Sequence, residues 1–305
     1  MKNYIAYFYN LIIDDIYYIN HKYFFYIGNN KYIFESCEND FLENYYNNLE
    51  MQLSKYKYFS KIIKNRNNRI VTVINGKKYI LLKVNIISDD YICIYDLKPI
   101  VFVDEINGLG GLNRTSWSYL WEKKIDYVEE WIESKKEKYK DIYSYVYFFI
   151  GVAENALLYI KEIEKSELQT EYDKLCFQHN RINYNTTLYE YYDPANLIID
   201  HSSRDVGEYI KNYFINNNLN IDILIDYLNK YNFSTYWIKM LYVRIIFPSF
   251  FFDYFENIMN NHDCAINVAS IEKMCNNYLK LITDVSILLN KKYNIPIIDW
   301  VIKKV

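Results

Sequence analysis

The side chains best placed for chemistry lie between 179 and 208. His179 and Arg181 follow the apolar run Leu175–Phe177, and Asp200 and His201 follow a second run, Leu197–Ile199. Imidazole and carboxylate are good zinc or manganese ligands, so His179, Asp200 and His201 could gather one ion. Adjacent residues such as Asp200 and His201 face a single ion only in an unusual geometry, which weighs against that use. Asp200 alone can hold a metal, or it can be a structural acceptor paired with Arg181, His179 or Arg204; we read it first as structural. Arg181 cannot take a proton, because a guanidinium stays protonated in proteins.

These residues need elements to position them. Short apolar runs closed by polar clusters predict two small buried strands whose ends meet at one place. Asp205 then opens a helix, with Glu208 three residues on in a capping-box arrangement.

Before this region, residues 1–13 suit a short helix, and Ile16–Ile19, Tyr23–Ile27 and Lys31–Ser36 read as strands with a Gly28-Asn29-Asn30 turn between the latter two. Asn39–Lys55 is a helix with Phe41, Leu42, Tyr45, Tyr46, Leu49 and Leu53 on one face. Arg69–Ile74 and Tyr79–Val84 form a hairpin around Asn75-Gly76, and Tyr91–Leu97 reads as a further strand.

Beyond the loop holding Gly108, Gly110 and Gly111, nearly everything is helical. Trp117, Leu120, Trp121, Ile125, Val128, Trp131 and Ile132 make a core stripe, and Val146–Ile160 is a buried helix in which Glu154 and Asn155 read as a satisfied core pair. Helices over 205–214, 221–230, 234–247 (closed by Pro248), 249–259 and 268–292 complete the chain. The pattern predicts an α+β protein in two lobes: a β-rich small lobe over 1–98, a connection over 99–112 and a large helical lobe over 113–305.

The 305 residues suffice for two lobes, and a net charge of −3 with both signs mixed gives no electrostatic case for nucleic acid or an anionic membrane. Cys37, Cys93, Cys176, Cys264 and Cys275 are scattered without a Cys-x-x-Cys pair, which argues against a disulfide framework and a thiolate zinc site. Reduced, mostly buried thiols in a cytoplasmic protein are expected. No stretch reads as a signal peptide or a transmembrane segment.

The layout resembles the catalytic centre of kinase-fold phosphotransferases of the aminoglycoside-phosphotransferase and choline-kinase type. Tyr119-Leu-Trp-Glu-Lys-Lys-Ile-Asp, Phe149-Ile-Gly-Val-Ala-Glu-Asn-Ala-Leu, Ile198-Ile-Asp-His-Ser-Ser-Arg-Asp and Leu241-Tyr-Val-Arg-Ile-Ile-Phe-Pro narrow it. These segments are similar to the YutH branch of the CotS-type spore coat kinase-like proteins. The first hundred residues match less clearly.

The resemblance implies a protein-kinase-like fold and a motif that can be laid onto this chain. The His of the family's His-Gly-Asp falls on His179, the Gly on Asn180 and the catalytic Asp on Arg181. The metal-binding Asn falls on Thr186, with Asn185 one place off, and Asp200 keeps the metal position. Glu35 stands where the phosphate-binding Lys is expected, unless Lys31, Lys78 or Lys83 serves instead. A carboxylate about 4 Å from a phosphate charge repels it by roughly 4 kcal/mol at an effective dielectric of about 20. No Gly-rich phosphate loop is visible.

The expectation is therefore a pseudokinase, a binding or scaffold module with no assigned cofactor. The resemblance places it in sporulation, made in the mother-cell cytoplasm and associated with the spore coat, with other coat or sporulation proteins as partners. The alternative is an active small-molecule phosphotransferase using magnesium–ATP with rearranged groups. A nucleotide sensor without turnover is a third reading.

Overall fold

The computed structural model describes the chain except residues 38–41, 99–102, 104–111, 167–168, 171–172, 218–220, 261–266 and 303–305. The glycine loop at 108–111, Pro99, Phe41 and Cys264 lie outside the described residues.

The chain opens with helix α1 (Lys2–Tyr9) and strands β1 (Tyr17–Ile19), β2 (Lys22–Ile27) and β3 (Asn30–Ser36), followed by helix α2 (Leu42–Leu53) and strands β4 (Lys61–Ile63), β5 (Thr72–Ile74) and β6 (Lys77–Lys83). Helices α3 (Trp117–Ser134) and α4 (Tyr143–Ser166) lead to strand β7 (Leu175–His179), a short helix α5 (Leu188–Tyr191) and strand β8 (Leu197–His201). Helices α6 (Arg204–Asn217), α7 (Asp222–Lys230), α8 (Thr235–Ile246), α9 (Ser249–Asn260), α10 (Val268–Tyr293) and α11 (Asp299–Ile302) finish it.

The chain divides into two compact units. The first contains Met1–Ile92, Val103–Asn113 and Asn185–Ile199; the second contains Cys93–Phe102, Arg114–Tyr184 and Asp200–Val305. The first is built on an antiparallel sheet in the order β1-β2-β3-β6-β4, with β5 also pairing β6. Type I′ hairpins need positive φ at both central residues. Asn75 (φ 50°) and Gly76 (φ 77°) supply it between β5 and β6. Strand alternation puts Phe25, Phe34 and Leu81 on one face, where Ile5 and Tyr9 of α1 and Ile13 cover them. Tyr9 satisfies its buried hydroxyl on Thr72 Oγ1 at 2.8 Å.

Tyr91–Leu97 is not a strand. Tyr91 makes an isolated bridge to Thr187, and Ile94–Asp96 wind into a 3₁₀ turn because the Asp96 carboxylate reaches back to the Cys93 N–H at 2.7 Å. Strand β4 was not foreseen. Of the described cysteines, Cys176 and Cys275 are buried, Cys37 is half-buried and Cys93 is exposed, so burial is less general than the composition suggested.

The second unit is helical apart from the short sheet of β7 and β8. α8 is buried nearly all round, from Tyr236 to Ile246, and α4, α6 and α10 pack against it. Gly207 lets α6 approach: a Cβ there would stand 2.8 Å from Arg244 Cγ and 3.1 Å from its Cβ. Glu154 is exposed, and Asn155 bonds the Gly151 carbonyl one turn back, so the expected core pair is a helix surface instead.

Candidate functional site

Asp200 lies at the end of β8 with no solvent exposure. Its Oδ1 accepts from the Trp117 indole at 2.8 Å and from the His201 N–H at 2.7 Å. Its Oδ2 accepts from Arg204 Nη1 at 2.7 Å. Burial pushes the Asp200 carboxyl up from its ordinary range, and Arg204 and Arg244 pull against that. The chain between β8 and α6 is so short that Arg204, four residues on, folds back over the carboxylate. Its Nε and Nη2 donate to the carbonyls of His179 (3.1 Å) and Asn180 (3.3 Å). One guanidinium thus satisfies Asp200 and the backbone at the end of β7.

Arg181 is not the partner of Asp200. Its side chain is 65% exposed, ion-pairs with Asp253 at 3.0 Å and bonds the Asn180 carbonyl. His179 turns instead to Asp205: Oδ1 accepts the His179 N–H at 2.9 Å, and Oδ2 lies 2.6 Å from its Nδ1. The expected capping box is therefore corrected. α6 starts at Arg204, and the Asp205 carboxylate is spent on His179, where it holds the end of β7.

Glu208 is likewise not a cap. It takes Arg244 Nε at 2.6 Å and Lys211 Nζ at 2.8 Å, and accepts from Ser249 Oγ at 3.1 and 3.2 Å. Although burial opposes it, Arg244 and Lys211 hold this carboxyl well below the usual range. Lys211 is fully buried, and burial pulls it down to about 8, yet Glu208, Ser249 Oγ and the Phe247 carbonyl satisfy its donors. Arg244 lies over the faces of Trp117 (5.1 Å) and Trp121 (5.9 Å), so the tryptophan stripe is core with a polar handle.

The residues do not fit a divalent cation at Asp200. Both carboxylate oxygens are engaged, one by a guanidinium that an incoming ion would have to displace. His201 does not help: its Nδ1 bonds Ser203 Oγ at 2.8 Å, and burial lowers its pKa to about 4, leaving a neutral ring beside Trp117 and Tyr236. No group of three His, Cys, Asp or Glu able to hold a metal occurs among the described residues.

In the first unit, Glu35 is buried on β3 directly opposite Lys22 on β2. Lys22 Nζ is 2.5 Å from Glu35 Oε2 and 2.9 Å from Asp193 Oδ2, in the segment that precedes β8. Burial and then Asp193 push the Glu35 carboxyl up to about 8, against Lys22. Burial works against the Lys22 ammonium, but Asp193 and Glu35 together raise it. Glu35 is thus a buried carboxyl paired with Lys22, not a bare charge. Lys31 packs 3.9 Å over the Tyr189 ring and pairs with Asp89, while Lys78 and Lys83 are half-buried on β6. Asn185 is exposed, and the carbonyl of buried Thr186 accepts the Ile92 N–H. Lys22 and Asp193, and the contacts of Trp117 with Asp200 and of Arg244 with Glu208, are not evident from the sequence. Only the register of β2 on β3 could have pointed to Lys22.

Residues 105–290 match the family described as spore coat putative kinase YutH. The chain belongs to that family. The endospore coat-associated protein YutH of Bacillus subtilis is 23% identical over 295 residues, covering 86% of this chain and 85% of its own. An aminoglycoside phosphotransferase from Alicyclobacillus acidocaldarius aligns at a TM-score of 0.61 and 7% identity, covering 94% of this chain and 95% of that one. Spectinomycin phosphotransferase in complex with ADP and spectinomycin aligns at 0.56 and 12% identity, with 92% and 97% covered. At such identities the likeness carries the fold alone. This YutH-family chain has the kinase-like α+β fold of a small antiparallel lobe and a large helical one. Among the described residues no helix is long and apolar enough to cross a membrane.

Proposed function

We infer that this chain is a pseudokinase of the spore coat, a binding or scaffold module on a kinase fold. The observation that carries the reading is the Arg204 guanidinium on Asp200. In the resembled motif that carboxylate holds the metal; here it has a permanent organic counter-ion. Arg181 stands at the proton-acceptor position, where loss of a positioned base typically costs ~100-fold or more in rate. Glu35 stands at the phosphate-lysine position. Membership of the YutH family supports association with the spore coat, with other coat proteins as partners and synthesis in the mother-cell cytoplasm. Calorimetric titration of the full chain with magnesium–ATP tests the reading. Heat changes no larger than those without magnesium are expected; tight binding that requires magnesium and is lost in Asp200→Asn would overturn it.

A further inference from the structure

We propose that Lys22, Glu35 and Asp193 form a proton-operated latch that holds the 185–199 segment on the sheet of the first unit. The cluster places two buried carboxylates, Glu35 (5% exposed) and Asp193 (1%), on a single ammonium. With all three ionised the site carries one uncompensated negative charge away from water, which is costly unless a proton is taken up.

Geometry assigns that proton. Asp193 Oδ1 is already committed to the Ala195 N–H at 2.8 Å, whereas Glu35 Oε1 is buried and meets no hydrogen-bond partner among the described residues. Among the described residues, Lys22 is the cation that acts on Glu35. α2 contributes Tyr45, whose hydroxyl has no partner among the described residues, and Tyr46; Cys37 follows β3, and Lys78 acts on Cys37. Burial is the main cause that pushes both the Cys37 thiol and the Tyr46 phenol up, so neither adds a charge beside Glu35.

The latch works by competition. With Glu35 protonated, the Lys22 charge serves Asp193, and Asp193 anchors the segment through the turn at Pro194–Asn196 that it caps. When Glu35 releases its proton to water, its carboxylate competes for Lys22 and the excess negative charge weakens the hold on Asp193. Other ties of the segment, among them the Ser60 N–H to the Tyr192 carbonyl, the Leu188 N–H to the Asp90 carbonyl, the Ile92 N–H to the Thr186 carbonyl, Phe59 against Tyr192 and Lys31 over the Tyr189 ring, do not involve Glu35.

The test uses the full chain at about pH 6 to about pH 9, as wild type, Glu35→Gln and Asp193→Asn. Infrared spectra read the protonated carboxylic acid, hydrogen exchange corrected for base catalysis reads the segment, and thermal unfolding reads the linkage. The Glu35 pKa is raised in the folded state, so its contribution is full below the ordinary carboxylate range. It is lost as pH rises towards about 8 and is level above. The folding equilibrium should weaken by up to ~tenfold per pH unit in that window. Wild type should show the acid signal at about pH 6, lose it by about pH 9, and lose protection over 185–199 in parallel. Glu35→Gln should lack the signal and the pH-dependent loss of protection. In Asp193→Asn, Glu35 becomes a simple pair with Lys22 and the signal should vanish at about pH 6. Absence of the acid signal in wild type, or protection that falls equally in Glu35→Gln, would overturn the proposal. If neither variant folds, the wild-type spectrum and exchange decide it.

Discussion

Arg204 Nη1 lies 2.7 Å from Oδ2 of Asp200, with both side chains almost entirely out of solvent. Removing one partner of a buried pair leaves the other charge uncompensated, a loss of about 3–5 kcal/mol. Arg204→Ala should therefore shift the denaturant midpoint strongly. Asp200→Asn in the same chain should recover part of the loss, since no stranded carboxylate remains. Two single losses that simply add would show that the pair is not coupled.

Asp205 tests a different contact. Asp205→Ala should cost about 1–3 kcal/mol, because it strands the buried His179 N–H and ring nitrogen. Serine is a good helix cap, so a capping role would be rescued by Asp205→Ser. The His179 contact predicts no rescue, and equal midpoints for Asp205→Ser and wild type would contradict it.

Gly207→Ala should destabilise by about 1–3 kcal/mol, despite alanine's better helix propensity. The added methyl meets Arg244 Cγ at 2.8 Å and must move the guanidinium off Glu208. A midpoint equal to or above wild type would mean that α8 yields freely.

His201 imposes an acid sensitivity. Its folded pKa is lowered to about 4, so below its ordinary value the unfolded chain takes a proton that the folded chain refuses. Stability should fall with pH from about 6.5 towards about 4, by up to about 1.4 kcal/mol per unit. Glu35 acts with the opposite sign over part of this window. The informative quantity is therefore the difference in slope between wild type and His201→Phe, and identical slopes would rule the effect out.

Much of this was legible in the chain. Leu175–Phe177 and Leu197–Ile199 announced β7 and β8, Asn75-Gly76 marked a hairpin that needs positive φ, and the stripe from Trp117 to Ile132 gave α3. What was hidden depends on partners distant in sequence. Tyr91–Leu97 has strand composition, but Asp96 turns back on Cys93, and the Leu97 carbonyl is taken by Tyr227 from α7. Lys22 meets Asp193 across 171 positions, and Trp117 meets Asp200 across 83. Asp205 and Glu208 matched a local capping pattern, yet long-range hydrogen bonds to His179 and Arg244 took both side chains.

ATP turnover tests the proposed loss of phosphoryl transfer most directly. The full chain should be assayed for ADP release and product phosphorylation with magnesium–ATP and a panel of small alcohols and amino sugars. Turnover indistinguishable from the protein-free control is expected, and Arg181→Asp should not create activity because Arg204 still occupies Asp200. Robust turnover by the wild type that disappears in Asp200→Ala would contradict the account.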